Sequence, residues 1–209
     1  MVKNLFIDCG TNLGQGLNEF NKKFNLFNNI NWDIYTFEPN PYIDLKKMFF
    51  NVNNIIKIDK AIWINNDPMQ FICKGKKDEN LRRKYNEERF QGGGSQIKCT
   101  QKNYNIPEHV ETDIINIQTI NFSDFLKDKS NIYDKIYVKM DIEGAEFQII
   151  DHLIECNTLN LIYELYIEPH GRFEFNENQW LEKKEEIDII ENILINKCNT
   201  YIKNVYKWS

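Results

Sequence analysis

The chain lacks the features that mark a membrane-spanning, disulfide-rich or strongly basic protein. No apolar run among its 209 residues approaches the roughly 20 residues that a bilayer-spanning helix needs. Its five cysteines are odd in number and include no C-x-x-C pair, which argues against a disulfide framework and a structural zinc site. The formal net charge of −5 disfavours a long nucleic acid as partner, because phosphate binding usually comes with a basic face.

Length and composition are those of a single globular domain. Hydrophobic residues make up 42% and charged residues 27% of the chain, which is enough apolar material to bury a core without disulfides. An apolar strand begins at Val2 and leaves no room for a signal peptide, so we expect a cytosolic protein without a membrane span. We expect one domain over residues 1–209, present as a monomer or a homodimer.

Hydrophobic periodicity predicts strands that alternate with helices. Predicted strands lie at 2–7, 33–37, 55–58, 61–64, 69–73, 112–120, 134–140, 161–167 and 205–208. One predicted helix buries Leu13, Leu17, Phe20 and Phe24, a second follows a cap at Asn40 and buries Leu45, Met48 and Phe49, and others span 122–126, 145–154 and 180–195. The alternation favours an α/β fold with a mostly parallel sheet covered by helices on both faces.

Two segments interrupt this alternation. We expect 61–64 and 69–73 to form an extension or a hairpin around the Asn65-Asn66-Asp67-Pro68 turn. Residues 74–109 are polar and contain Gly92-Gly93-Gly94 without clear periodicity, so we interpret them as an insertion or a lid.

The first loop, Asp8-Cys9-Gly10-Thr11-Asn12-Leu13-Gly14, lies between the first predicted strand and its helix. Glycines there allow a tight turn and a close approach to a ligand, as in nucleotide-binding α/β folds. The Asp8 carboxylate would repel the pyrophosphate of a dinucleotide, but it would attract the ammonium and sulfonium of S-adenosylmethionine, which carries no phosphate. Charge sign therefore favours S-adenosylmethionine over a nicotinamide cofactor.

Three further segments place acids at the ends of predicted strands. Glu38 ends the second strand, where a carboxylate can accept both ribose hydroxyls of such a donor, and Asp59 and Ala61 fall where an adenine edge would be read. Asp141 leaves the strand in Lys139-Met140-Asp141-Ile142-Glu143-Gly144-Ala145-Glu146 toward the donor, whereas Glu143 and Glu146 suit a capping role at the next helix. We also interpret Glu164 and His170 as facing the same cleft.

Together, the segments 6–14, 37–41, 60–63, 94–95 and 138–146 resemble the FkbM-type methyltransferases over roughly residues 3–170. The resemblance implies a Rossmann-like class I methyltransferase fold and methyl transfer to a hydroxyl of a sugar, glycan, glycolipid or decorated natural product. It implies an acceptor side at 141–146. The residues expected to bind the donor are Asp8, Gly10, Thr11, Asn12, Gly14, Glu38, Pro39, Asp59, Lys60, Ala61, Ser95 and Asp141.

A sugar hydroxyl is a poor nucleophile, so a general base that adds roughly 10²–10⁴-fold in rate is expected. Asp141 or His170 is the candidate base, and Glu164 and Lys139 complete the candidate catalytic set. A divalent cation, Mg²⁺ or Mn²⁺, held by Asp141 with Glu164 or His170 is a second way to lower the pKa of the hydroxyl.

Three other functions stay open at this level. Lys139, Asp141 and Glu164 resemble sites of RNA ribose 2′-O-methylation, although the net charge disfavours RNA. A nicotinamide oxidoreductase and a donor-binding subunit without catalysis are the others.

Overall fold

A computed structural model describes residues 3–74, 96–97, 112–175 and 179–208. Within these ranges the strands are β1 (Asn4–Cys9), β2 (Trp32–Phe37), β3 (Ile55–Ile58), β4 (Ala61–Trp63), β5 (Met69–Lys74), β6 (Gln96–Ile97), β7 (Thr112–Ile117), β8 (Thr119–Asn121), β9 (Lys135–Met140), β10 (Glu164–Ile167) and β11 (Asn204–Lys207). The helices are α1 (Gln15–Phe24), α2 (Leu45–Met48), α3 (Phe122–Ser130), α4 (Glu146–Glu155) and α5 (Lys184–Asn199), with 3₁₀ turns at Leu159–Leu161 and Gly171–Glu174.

The central sheet of the described chain has six strands in the order β11-β10-β9-β1-β2-β3. Every neighbouring pair is parallel, so the carboxyl ends of all six strands lie along one edge. The chain builds outward from β1 to β2 and β3 on one side, and later returns to β1 with β9 on the other. Ligands of open α/β sheets bind at such a reversal. The predicted mostly parallel α/β architecture is confirmed.

Alternating side chains of β1 supply cores on both faces of the sheet, as the two-residue period of a strand requires. Leu5 and Ile7 belong to the larger cluster, which includes buried residues of α3 and α4. Phe6 points to the opposite face and joins Leu17 and Phe20 of α1. Each such side chain contributes roughly 1.5–3 kcal/mol when fully buried, so β1 is held firmly and its loop has a fixed origin.

The structure corrects the expected hairpin at 61–73. β4 pairs with β8 in parallel, and β5 pairs with β6 and β7 in antiparallel. The Thr119 hydroxyl donates to the carbonyls of Asn65 and Asp67 at 2.9 Å each, which ties the turn after β4 to β8 instead. The predicted strand at 112–120 is likewise divided at Gln118, whose carbonyl accepts a hydrogen bond from the Ala61 N–H at 3.1 Å.

The predicted helix cap at Asn40 is also wrong. Helix α2 begins at Leu45, and its cap is Asp44, whose carboxylate accepts from the Lys47 N–H at 3.0 Å. The Asn40 side-chain oxygen instead accepts from the Tyr42 N–H at 2.9 Å and lies 3.1 Å from the Cys73 Sγ of β5. Met48, expected in the buried stripe, is 41% exposed because the short helix turns it away from the core.

Most of the predicted insertion or lid at 74–109 lies outside the described residues, apart from Lys74 in β5 and the short strand β6. The single-domain organisation stays a prediction. Across the described ranges, none of the helices has the length and apolar content that a membrane span requires.

Candidate active site

The loop that follows β1 is pressed against the end of β9. Gly10 has a φ of +75°, and a Cβ added to it would lie 1.9 Å from the Asp141 backbone oxygen. An L side chain is disfavoured at that φ and has no space there. The N–H groups of Gly10 and Thr11 both donate to the Phe37 carbonyl, at 3.0 and 3.2 Å, which ties the loop to β2 as well. The first loop therefore spans the reversal point of the sheet.

Lys139 forms the ionic centre of this edge. Its Nζ lies 2.9 Å from the Gly10 carbonyl oxygen, 3.2 Å from Asp141 Oδ2 and 3.3 Å from Asp8 Oδ1. Burial lowers the pKa of the Lys139 ammonium, but the carboxylates of Asp8 and Asp141 outweigh burial and hold that pKa above its ordinary value. With both acids ionised, the trio carries one excess negative charge.

Asp8 is completely buried beneath the first loop. Burial raises the pKa of Asp8, and the charge of Lys139 offsets only part of that rise. The Thr11 hydroxyl donates to the Asp8 backbone carbonyl at 3.1 Å, which fixes the start of the turn. Asp8 thus has a cationic partner inside the protein, a contact that the sequence patterns do not predict.

Glu38 fastens the first loop to the end of β2. Its Oε2 accepts from the Asn12 N–H at 2.7 Å, and its Oε1 accepts from the Asn40 N–H at 2.9 Å. Burial raises the pKa of Glu38 to about 7, although these hydrogen bonds act in the opposite direction. A cavity of about 640 Å³ lies beside Glu38 and is also lined by Pro39 and Asp59. Each carboxylate oxygen has a second lone pair that a ligand hydroxyl can use.

A second group of acids surrounds His170 on the other side of Asp141. His170 Nδ1 lies 2.9 Å from Glu146 Oε1, and His170 Nε2 lies 3.7–3.8 Å from carboxylate oxygens of Asp141, Glu143 and Glu168. Burial lowers the pKa of His170, but the carboxylates of Glu146 and Glu143 outweigh it and raise that pKa to about 9. In this arrangement the imidazole is protonated at neutral pH.

The structure does not place Glu164 in this group. Glu164 is the first residue of β10, and its Oε2 accepts from the Tyr166 hydroxyl at 2.5 Å. Three strand steps, about 10 Å, separate it from Ile167 at the carboxyl end of the strand. The expectation that Glu164 shares a cleft with His170 is therefore wrong, because the two residues belong to opposite edges of the sheet. Glu168, the first residue after β10, lies there instead.

The sequence matches one known protein family over most of its length. A family model described as the Methyltransferase FkbM domain matches residues 8–201, which is most of the chain. The chain belongs to the FkbM methyltransferase family. A comparison with curated proteins and another with solved structures found no match. This membership agrees with the Rossmann-like parallel sheet and makes the protein a methyltransferase, a class of enzymes that generally uses S-adenosylmethionine.

In this FkbM methyltransferase, most of the residues expected to bind the donor lie along one edge of the sheet. Asp59 borders the cavity beside Glu38, whereas Ala61 is buried in β4 and Lys60 precedes it. Ser95 lies outside the described residues. The residues that meet at the first loop and the ends of β2 and β9 are Asp8, Gly10, Thr11, Asn12, Gly14, Glu38, Pro39, Lys139 and Asp141.

Glu168, which lies in the group of acids around His170, was not identified from the sequence. Only a capping role was expected for Glu146. Glu146 accepts from the N–H groups of Ile142 and Gly144 at 2.8 and 2.9 Å, which agrees with the expected structural role, but it also holds His170. A signal for Glu168 was present. It directly follows an apolar strand and precedes His170 by two residues, which is where the carboxyl edge of a parallel sheet lies.

Proposed function

We propose that this methyltransferase transfers a methyl group from S-adenosylmethionine to a hydroxyl oxygen of a sugar or glycan. The observation that carries the proposal is the position of Asp141. Its backbone oxygen faces Gly10 of the first loop, one carboxylate oxygen contacts Lys139, and the other faces the acidic group around His170. Asp141 therefore lies between the first loop and the group of acids around His170, where we place the acceptor.

Charge supports this donor over a dinucleotide. With both aspartates ionised, the trio of Asp8, Lys139 and Asp141 carries an excess negative charge, and Glu38 adds to it once it is ionised. A cationic sulfonium is attracted to that field, and a pyrophosphate is repelled by it. The two ribose hydroxyls would donate to the remaining lone pairs of Glu38, in bonds worth about 1.5–3 kcal/mol each when one partner is charged.

The acids beyond Asp141 favour a neutral polyol as acceptor. Glu143 and Glu168 lie with Asp141 around one histidine, and carboxylate oxygens of this kind can accept hydrogen bonds from the hydroxyl groups of an acceptor. RNA would bring phosphates to the same carboxylates, which opposes the alternative of ribose methylation in a nucleic acid. The sugar acceptor is accordingly our first candidate.

Asp141 is the better candidate for the general base. In-line transfer needs the acceptor oxygen about 3 Å from the methyl carbon, and such alignment supplies on the order of 7–11 kcal/mol. The hydroxyl proton then passes to a carboxylate, and Asp141 Oδ1 is the oxygen that Lys139 does not hold. His170 is a poor base in this arrangement, because its pKa of about 9 leaves the ring protonated at neutral pH.

Calorimetry and turnover together test the assignment. We expect Glu38→Ala to weaken binding of the demethylated donor product at least tenfold, which corresponds to about 1.4 kcal/mol. Asp141→Asn should keep that affinity within a few-fold and lower methyl transfer to a panel of sugars by about 10²–10⁴-fold. Asp33→Asn, near the amino end of the strand that Glu38 follows, is the matched control and should change neither quantity.

Two results would contradict the proposal. Unchanged affinity in Glu38→Ala would remove the donor from this edge, and normal turnover in Asp141→Asn would remove Asp141 from the chemistry. Consumption of the donor only with RNA would favour the ribose alternative. Tight donor binding with no methyl transfer to any acceptor would favour a non-catalytic subunit. The cytosolic location and the oligomeric state stay predictions.

A further inference from the structure

The orientation of His170 is fixed from behind. Its Nδ1 contacts Glu146 Oε1 at 2.9 Å, and Glu146 is fully buried with both oxygens held by backbone N–H groups at 2.8 and 2.9 Å. Histidines that bind metals are usually oriented in this way, with a carboxylate on the nitrogen that does not touch the ion. The arrangement sets the direction of the opposite nitrogen, Nε2, which carries a proton in the absence of an ion and would release it when an ion binds.

His170 Nε2 points into a group of oxygens that are too far away to be its hydrogen-bond partners. The His170 side chain is only 2% exposed, yet Asp141 Oδ1 and Glu168 Oε1 are each 3.8 Å from Nε2. Hydrogen bonds of this kind rarely exceed about 3.2 Å. A buried polar nitrogen is thus directed at a space between carboxylates rather than at any one of them.

That space has the dimensions of a coordination site. One ligand atom each from Asp141, Glu168 and His170 lie within 4.8 Å of one another. In an octahedron with ligands at about 2.1 Å, neighbouring ligands are about 3.0 Å apart and opposite ligands about 4.2 Å apart. The distances of 3.8 Å from Nε2 to the oxygens of Asp141 and Glu168 lie between these two values, so the side chains would move by less than about 1 Å to hold an ion.

Neighbouring contacts decide which atoms are available. Asp141 Oδ2 is engaged by Lys139, which leaves Oδ1 facing His170. Glu143 Oε2 is engaged by Arg172 at 3.1 Å, so we do not include Glu143 among the ligands. The Glu168 side chain is 32% exposed, which provides a route for an ion and for the waters that would complete its shell.

We propose that Asp141, Glu168 and His170 form a binding site for a divalent cation of the Mn²⁺ type. Two of the three ligands are carboxylate oxygens, which suit Mg²⁺, Ca²⁺ and Mn²⁺, and Mn²⁺ is the transition metal among these three ions, so we choose it for a site that also includes an imidazole. Ion binding itself is independent of the proposed methyl transfer. Its use does rest on that function. A cation held by Asp141 Oδ1 would lower the pKa of a hydroxyl that it contacts, and this would replace direct proton transfer to that oxygen.

Titration of Mn²⁺ into the chelator-treated full chain, followed by the electron paramagnetic resonance signal of free Mn²⁺, tests the site. We expect one ion per chain, and at least tenfold weaker binding in Glu168→Gln. Glu164→Gln is the matched control, because it makes the same change at the other end of β10 and should stay within twofold of the wild type. Asp141→Asn removes a different ligand and should weaken binding as Glu168→Gln does.

Absence of Mn²⁺ binding at millimolar concentrations would overturn the proposal. So would equal affinity in the wild type and Glu168→Gln, or an equal loss in Glu164→Gln, which would indicate diffuse attraction by surface acids. Circular dichroism establishes that each variant is folded, and Asp141→Asn tests the site if Glu168→Gln does not fold. Calorimetry of the demethylated donor product separates the two proposals, because loss of donor binding with intact Mn²⁺ binding contradicts only the proposed function.

Discussion

The two edges of the central sheet carry similar residues in different surroundings. At the amino edge, Lys3 Nζ lies 2.7 Å from Asp33 Oδ2, with the two side chains 45% and 21% exposed. At the carboxyl edge, Lys139 Nζ lies 3.3 Å from Asp8 Oδ1, with the side chains only 4% and 1% exposed. Water screens the first pair but not the second. We therefore expect the lysine–aspartate pair at the carboxyl edge to affect the free energy of unfolding much more than the pair at the amino edge.

Strand β10 repeats the contrast over four residues. Glu164 at its start is satisfied by the Tyr166 hydroxyl, whose oxygen also accepts from Lys23 Nζ at 2.9 Å. Glu168 just after its end has other acids for neighbours, and burial together with the charge of Asp141 raises its pKa. Position relative to strand direction, rather than residue type, thus decides whether a glutamate of this segment is paired with a tyrosine hydroxyl or lies among other acids.

Among the variants that test this comparison, Lys139→Met should have the largest effect on stability. The change leaves Asp8 buried without its cation, and removal of one partner from a buried ion pair costs about 3–5 kcal/mol. We expect that loss in the free energy of unfolding measured with urea. Addition of Asp8→Asn should restore part of it, since the unpaired charge is then gone. A loss below about 1 kcal/mol would mean that the pair behaves like a surface one.

Gly10→Ala should have the next largest effect. The new Cβ would meet the Asp141 backbone oxygen at 1.9 Å, and the φ of +75° is itself strained for alanine. Left-handed strain of roughly 1–2 kcal/mol and overpacking of roughly 1–3 kcal/mol give a loss of about 2–5 kcal/mol. Thermal unfolding measures this loss of stability, and calorimetry shows whether binding of the demethylated donor product is lost with it.

Gly16→Ala is the control for Gly10→Ala. Its Cβ would meet the flexible end of the Lys139 side chain, with Cε at 3.3 Å, and would be in ordinary van der Waals contact with Trp208 at 3.7 Å. Stability should therefore change by less than about 1 kcal/mol. Equal losses in the two variants would show that the first loop is not pressed against the end of β9.

Glu38→Gln tests the burial of an acid at the carboxyl edge through the pH dependence of stability. Burial raises the Glu38 pKa from 4.5 to about 7, so the folded chain holds this proton more tightly than the unfolded chain does. Glu38 therefore lowers stability progressively as pH rises from about 4.5 to about 7, by about 3 kcal/mol in total. The variant should lose that slope in urea unfolding measured across the window. Parallel pH profiles in the two proteins would contradict the pKa shift.

Local patterns were enough to locate much of this edge from the sequence. An apolar strand followed by Asp8 and Gly10 predicts a buried strand with a tight loop, and both signals lie within a few neighbouring residues. Glu38 and Asp141 were found in the same way, at the ends of predicted strands. The central parallel sheet followed from the regular alternation of strands and helices.

What the sequence did not reveal depends on contacts between distant segments. Asn40 was expected to cap a helix, but Cys73, 33 residues away, lies against its side-chain oxygen. Lys139 is among the candidate catalytic residues, but nothing local in the sequence shows that it is buried between Asp8 and Asp141. The sequence favoured Glu164 over Glu168 because the predicted strand, 161–167, began three residues too early. Glu164 then fell in the middle of the predicted strand, whereas it is the first residue of the observed strand.

The smallest expected effect belongs to the amino edge, with Lys3→Met. Its ion pair with Asp33 is short, but it is partly exposed, and such pairs contribute less than about 1 kcal/mol. Asp33 also keeps a hydrogen bond from the Tyr133 hydroxyl at 2.6 Å, so it is not left without a partner. Urea unfolding of Lys3→Met beside Lys139→Met compares the same substitution at the two edges. A loss at Lys3 as large as that at Lys139 would show that burial does not set their difference.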